Sequence, residues 1–145
     1  MIRIEQVKVV NTEIVLAIQQ LFPQLTQFSP IPDEHALRKM VYSQASSLWI
    51  ARNVDGEVIG MLSLAIYRAT TGIHAWIEDV VVDQKARRRG IAAQLIQAAL
   101  EFAQQNGAKA VSLTSRPERE AANQLYQKLG FELVNTNLYR KSNLD

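Results

Sequence analysis

The sequence predicts an α/β fold of the α+β kind, a mixed central sheet of about six to seven strands flanked by about four helices. Three observations carry that prediction. Ile77, Val80, Val81 and Val82 crowd β-branched residues too densely for simple alternation, as in a central strand covered on both faces. After Gly90, the residues Ile91, Leu95, Ala98 or Ala99 and Phe102 recur at helical spacing, so a helix packs there on one side. Strand-like and helix-like segments then run along a chain of 145 residues, the usual size of one domain, and residues 1–145 read as a single domain.

Ile2 and Ile4, with Val7 and Val9, nearly alternate with polar residues and read as a first strand. Asn11 or Thr12 is placed to cap a helix whose Ile14, Val15, Ile18, Leu21 and Phe22 share a face, and Pro23 ends that helix or follows its end. The stretch PQLTQFSPIPDEH holds three prolines and reads as a loop. Asp33 then caps a second helix reaching about residue 45, with Leu37, Met40 and Val41 inward. Residues 48–50 and 58–66 form a hairpin around the turn signal of Asp55 and Gly56, and Gly60 marks a bulge or a close backbone approach. Beyond the central strand and its helix, Asn106 and Gly107 supply a C-cap. Residues 110–114 form a short strand, parallel to the central one if the crossover is right-handed. Ser115 and Glu118 have capping-box spacing for a last helix with Ala121, Ala122, Leu125 and Leu129 on one face and Gly130 at its stop. Residues 131–134 and 138–140 read as two closing strands.

Composition excludes several classes of function. With 48% hydrophobic and 21% charged residues the chain is globular, and a net charge of +2 leaves no broad basic face, so no nucleic-acid partner is expected. The absence of cysteine removes disulfides, thiolate zinc sites and a cysteine nucleophile. His35 and His74 have no partners at ligand spacing, so no metal is expected. The start MIRIEQVKVV carries charges and lacks the apolar core of a signal peptide, and no apolar run reaches spanning length, so a cytoplasmic location without a membrane partner is the expectation.

Residues 83–89 join the central strand to its helix as a polar turn ending in Arg87, Arg88 and Arg89, followed by Gly90 and Ala92. The first N–H groups of a helix attract anions, Gly90 leaves room for close approach and Ala92 keeps the next position small, so a diphosphate fits there. Alone, the triplet reads equally as a solvated basic turn. Together with Val80, Val81, Val82 and Asp83 just before it, Arg87, Gly90 and Ala92 match the Arg/Gln-x-x-Gly-x-Gly/Ala motif of the GCN5-related N-acetyltransferase (GNAT) superfamily, which this sequence resembles. Leu125, Tyr126, Gln127, Lys128, Leu129, Gly130 and Phe131 look like that family's Leu-Tyr-x-x-x-Gly-Phe segment. The resemblance covers roughly the second half of the chain closely and the first half by its order of elements.

The resemblance implies a GNAT fold with two neighbouring parallel strands splayed around acetyl-CoA, and an N-acetyltransferase moving acetyl to a primary amine of a small molecule or peptide by direct attack, with CoA as product. It implies that N–H groups around Arg88, Arg89, Gly90, Ala92 and Ala93 bind the pyrophosphate, that the backbone of Val80, Val81 and Val82 pairs with the pantetheine arm, and that arginine side chains reach the 3′-phosphate. An N–H near Val81 is then expected to face the oxyanion, and the resemblance implies that Tyr126 gives a proton to the departing thiolate, unless its ring only packs at a helix edge. Plain alternation puts Glu78 on the face of Val80 and Val82 and Asp79 on the other. Glu78, in a segment similar to glucosamine-phosphate acetyltransferases, stands open as base, substrate ligand or salt-bridge partner.

Two departures from the family pattern are visible. Arg119 stands seven positions before Tyr126, where relatives carry an asparagine on the cofactor arm, and Asn123 is the candidate replacement. Thr114 stands where some members have a glutamate. The acceptor is expected among the first two helices, the loop at residues 28–32 and the closing strands, with Tyr139 and Arg140 as candidate wall residues. A homodimer stays open. Two other readings fit the same residues: a catalytically silent acyl-CoA sensor, and an RNA-binding domain, which lacks the interleaved aromatics that stack bases.

Overall fold

In the computed structural model, which describes residues 1–145, the chain divides into two units, Met1–Thr114 and Ser115–Asp145. The first holds a five-stranded sheet in chain order: β1 (Arg3–Gln6), β2 (Ser46–Arg52), β3 (Val58–Ala69), β4 (Gly72–Val82) and β5 (Val111–Ser112). The first four pair antiparallel, and β5 joins β4 in parallel as the crossover rule requires.

Helices α1 (Thr12–Leu25) and α2 (Glu34–Val41) cover one face of the sheet, where Ile14, Ile18, Leu21 and Leu37 pack with Leu48, Ile50, Met61 and Val81. Helix α3 (Ile91–Gln105) covers the other face with Ile91, Leu95, Ile96, Ala99 and Ala103 buried at helical spacing. Gly60 lies under it. A Cβ there would stand 3.2 Å from Leu95 Cδ1 and 3.3 Å from Val81 O, so close approach of helix to strand requires the glycine.

Asn11 and Asp33 cap α1 and α2, accepting from Ile14 N–H at 2.9 Å and Ala36 N–H at 2.8 Å. Helix α1 continues through Pro23 to Leu25, past the expected stop; Thr26 N–H still reaches Phe22 O at 3.2 Å, and only proline's own missing donor is lost in the last turn. Helix α2 ends earlier than expected, at Val41, because Ser46 already enters β2 and Ala45 O accepts from Ile66 N–H at 2.7 Å. Strands β3 and β4 extend to Ala69 and Gly72, a second hairpin that the sequence reading left out; at its tip Tyr67 stacks on His74 with centroids 5.5 Å apart.

The second unit contains α4 (Glu120–Lys128), with Tyr126 its buried residue. The expected capping box does not form. Arg119 is the N-cap without a side-chain bond and Ser115 Oγ is left unpartnered, while Asn123 Nδ2 donates to Arg116 O at 2.9 Å and Arg119 O at 2.8 Å. The two closing strands expected at residues 131–134 and 138–140 are absent, so the sheet has five strands instead of six to seven. Residues 131–145 find no ladder partner, and Leu133 is 97% and Tyr139 86% exposed. Apolar alternation makes a strand only where a neighbour supplies the hydrogen bonds.

One guanidinium ties α1 to the first hairpin. Arg52 donates to Glu5 at 2.8 Å, to both carboxylate oxygens of Glu13 at 2.7 and 3.0 Å, and to Gly56 O at 2.8 Å. Those bonds, with Arg52 as first cause, hold the Glu13 carboxyl below the usual carboxylate range. A lowered folded pKa gives stability that is present above the unfolded value near ~4.3 and lost as pH falls through the folded one. Arg52→Met should therefore cost about 1–2 kcal/mol in urea denaturation at neutral pH, with the gap to wild type narrowing in acid.

Candidate active site

Strand β4 carries one residue more than its partner. Leu64 pairs with Ile77 and Ser63 with Glu78, but Met61 pairs with Val81, so Asp79 and Val80 both stand opposite Leu62. Asp79 takes the surplus at φ 55, a left-handed conformation that aspartate accepts more readily than most residues. Parity changes across the bulge. Ile77 and Val82, opposite Leu64 and Gly60, face α3, whereas Glu78 and Val81, opposite Ser63 and Met61, face α1 and α2. Glu78 thus shares its face with Val81, which corrects the placement by plain alternation beside Val80 and Val82.

The parallel pairing of β4 with β5 ends at Trp76 and Ser112. From Ile77 to Val82 no strand pairs with the β5 side of β4, although Arg87 Nε takes up Val82 O at 3.1 Å. The two parallel strands part there, as the fold class required.

Beyond Val82 the chain turns sharply. Asp83 N–H donates to Ile59 O at 2.8 Å, Asp83 O accepts from Ala86 N–H at 2.8 Å, and Asp83 Oδ1 accepts from Lys85 N–H at 3.1 Å, closing a 3-10 turn at Gln84–Ala86. Gln84 N–H donates to Gln24 Oε1 in α1 at 2.9 Å. Arg87 folds back, its Nε donating to Val82 O at 3.1 Å, while Arg88 and Arg89 are exposed. Arg88 at φ 67 and Gly90 at φ 73 then swing the backbone into α3.

Helix α3 starts without a side-chain cap. Its first internal bond is Gln94 N–H to Gly90 O at 3.1 Å, which leaves the N–H groups of Ile91, Ala92 and Ala93 uncapped. A Cβ on Gly90 would meet nothing within 4 Å, so glycine serves the left-handed turn and the space above the helix start is open. Uncapped donors at the positive end of a helix, beside two exposed guanidinium groups, fit a diphosphate.

Two carboxylates adjoin this edge. Burial, and then the neighbouring Asp79 charge, pushes the Glu78 carboxyl up; burial does the same to Asp79. Neither takes part in an ion pair, since those join Glu5, Glu13 and Glu34 to arginines. In the second unit, burial raises the Tyr126 phenol, partly offset by the Arg119 charge, and its ring meets Phe131 edge-on with centroids 6.0 Å apart. Asn123 has spent both amide hydrogens on its own helix start, so its Oδ1 alone is left for another partner. Glu78, Val80, Val81, Val82, Arg87, Arg88, Arg89, Gly90, Ala92 and Ala93 belong to the first unit, Asn123 and Tyr126 to the second. The sequence reading missed the Asp79 bulge, whose only sign is a residue type tolerant of positive φ, and it missed Gln24, which no local pattern marks.

Residues 15–131 match the family described as Acetyltransferase (GNAT) family. The chain is 29% identical over 128 residues to a Bacillus subtilis (strain 168) protein named Uncharacterized N-acetyltransferase YhfO, covering 84% of this chain and 86% of that one. It is 28% identical over 119 residues to the Serratia marcescens Aminoglycoside N(6')-acetyltransferase type 1, covering 77% and 82%. Among solved structures, the aminoglycoside N-acetyltransferase AAC(6')-Iy in complex with CoA superposes with a TM-score of 0.81 at 23% identity, over 98% of this chain and 95% of that one, a likeness of fold.

The raised carboxyls have a sign that can be measured. A folded pKa above the unfolded one means that stability falls as pH rises from the ordinary carboxylate value to the raised one. Glu78→Gln should therefore increase stability at neutral pH, and the gain should vanish toward pH ~4, in denaturation curves taken across that range.

Proposed function

The chain belongs to the acetyltransferase (GNAT) family of acetyl-CoA-dependent N-acetyltransferases, and from that premise we propose that it moves the acetyl group of acetyl-CoA to a primary amine of a small molecule or peptide by direct attack. The observation that carries the reading is the open β4 edge running into the uncapped start of α3. Acetyl-CoA, when bound, supplies an acetyl group activated as a thioester. The backbone of Val80, Val81 and Val82 pairs with the amides of its arm, and Asn123 Oδ1 accepts from one of them. The N–H groups of Ile91, Ala92 and Ala93, with Arg88 and Arg89, hold the pyrophosphate, and Gly90 admits it.

As the amine nitrogen bonds to the carbonyl carbon, an N–H near Val81 stabilises the charge gathering on oxygen. Glu78, on the face turned to α1 and α2, takes the proton released by nitrogen; its raised pKa brings it nearer the working range of a base. The C–S bond breaks and Tyr126 gives its proton to sulfur. Burial holds the phenol above its ordinary range, so it keeps its proton at neutral pH and the transfer to sulfur, the more acidic group as a thiol, runs uphill. Residues 1–145 act in this reading as one acetyltransferase domain in the cytoplasm. The names of relatives make aminoglycosides the first amines to test.

We also propose a homodimer. Strand β5 ends the sheet with a free edge, and Leu133, Val134, Leu138 and Tyr139 expose apolar side chains that a second copy would cover. Removing residues 135–145 should halve the mass seen in sedimentation. A truncated protein that stays dimeric excludes that segment from the interface, and a monomeric wild type excludes the dimer.

Acetyl-CoA and CoA should each raise the melting temperature, and ATP should raise it less. With an amine that supports release of free thiol, Tyr126→Phe should lower kcat by about 100-fold or more while CoA affinity stays within about 2-fold. Unchanged turnover would place the acid elsewhere. A CoA-induced shift without thiol release on any amine would favour the silent acyl-CoA sensor.

A further inference from the structure

Gln24 has no part in the chemistry above, yet its side chain reaches across 60 positions of sequence, Oε1 accepting Gln84 N–H at 2.9 Å. It can do so because α1 persists past Pro23 and carries Gln24 in its last turn. Gln84 opens the 3-10 turn that leads to Arg87, Arg88 and Gly90. Three hydrogen bonds fasten that turn to the rest of its unit: Asp83 N–H to Ile59 O at 2.8 Å and Arg87 Nε to Val82 O at 3.1 Å, both to the sheet, and Gln84 N–H to Gln24 Oε1, the one that reaches a helix. The other bonds of the turn are internal, Lys85 N–H and Ala86 N–H to Asp83.

The turn needs fastening. Arg88 at φ 67 is a non-glycine residue in the left-handed region, and Gly90 follows at φ 73, so the approach to α3 holds a costly backbone path with few bonds of its own. Gln84 is exposed, and water satisfies its N–H when Gln24 lets go. The bond therefore adds little to global stability, and its effect falls on how often the turn is in the conformation that presents the uncapped N–H groups of α3.

We infer that Gln24 is a positioning residue for the phosphate site: its amide oxygen holds the Gln84 turn so that Gly90 and the first N–H groups of α3 face the pyrophosphate of acetyl-CoA. This rests on the cofactor reading given above. A binding-competent state that is less populated weakens apparent affinity in proportion, and one net hydrogen bond corresponds to about 3- to 10-fold.

Two substitutions separate the oxygen from the packing. Gln24→Met keeps the length and removes the acceptor, while Gln24→Glu keeps an oxygen acceptor; both are compared with wild type at high salt, where the added charge is screened. In Gln24→Met, the CoA dissociation constant by calorimetry and the KM for acetyl-CoA should rise about 3- to 10-fold, with kcat at saturating acetyl-CoA within about 2-fold. The Gln84 amide of the ligand-free variant should exchange with solvent faster by a similar factor, and Gln24→Glu should restore affinity and protection. Unchanged exchange at Gln84, unchanged CoA affinity, or a loss that Gln24→Glu does not restore would each overturn the inference. A wild type that binds no CoA would overturn the cofactor reading and this inference with it, and would show before any substitution is made.

Discussion

The structure turns on one surplus residue in β4. Asp79 has no partner of its own in β3, so the strand bends and its two sides exchange which positions they cover. Pairing with β5 ends just before that bend, at Trp76, because a parallel ladder needs both strands to keep one course. The same few residues thus place Glu78 on the α1 and α2 side, keep Val82 against α3, and leave a length of backbone without a strand partner on its β5 side.

The loop after β4 supplies the complementary half. A helix start normally hides its first donors under a serine, threonine or aspartate, as Asn11 and Asp33 do for α1 and α2. The α3 start has glycine at that position and no cap. Stability is forgone at this terminus, a lack that α4 shares while α1 and α2 are capped, and guanidinium groups beside the α3 start add the matching charge.

Much of this was legible in the residues. Caps at Asn11 and Asp33, the hairpin at Asp55 and Gly56, the run from Ile91 to Ala103 and the parallel strand after Gly107 follow from local rules, because each depends on residues within a few positions of one another. The choice between Ala98 and Ala99 fell to Ala99, which is fully buried, once the helix phase was known. What escaped was non-local. An unpaired strand looks like a paired one in sequence, so residues 131–134 and 138–140 read as strands although they have no neighbour to bond. The bulge escaped because nothing in WIEDVVV marks an extra residue, and the partner of Gln24 lies far along the chain. Pro23 was read as a stop although one missing donor near a helix end costs a single bond.

The β4 bulge also constrains anyone who would redesign this chain. Ile77 and Val81 are four positions apart and yet line opposite layers of the interior. Straightening the strand at its present length would put both on one layer and force Val81 and everything after it to swap sides, whereas excising Asp79 or Val80 would remove the bulge and leave Val81 opposite Met61. At its present length the strand therefore depends on one backbone conformation: engineering of the acceptor side should keep at position 79 a residue that accepts positive φ and exchange side chains around it.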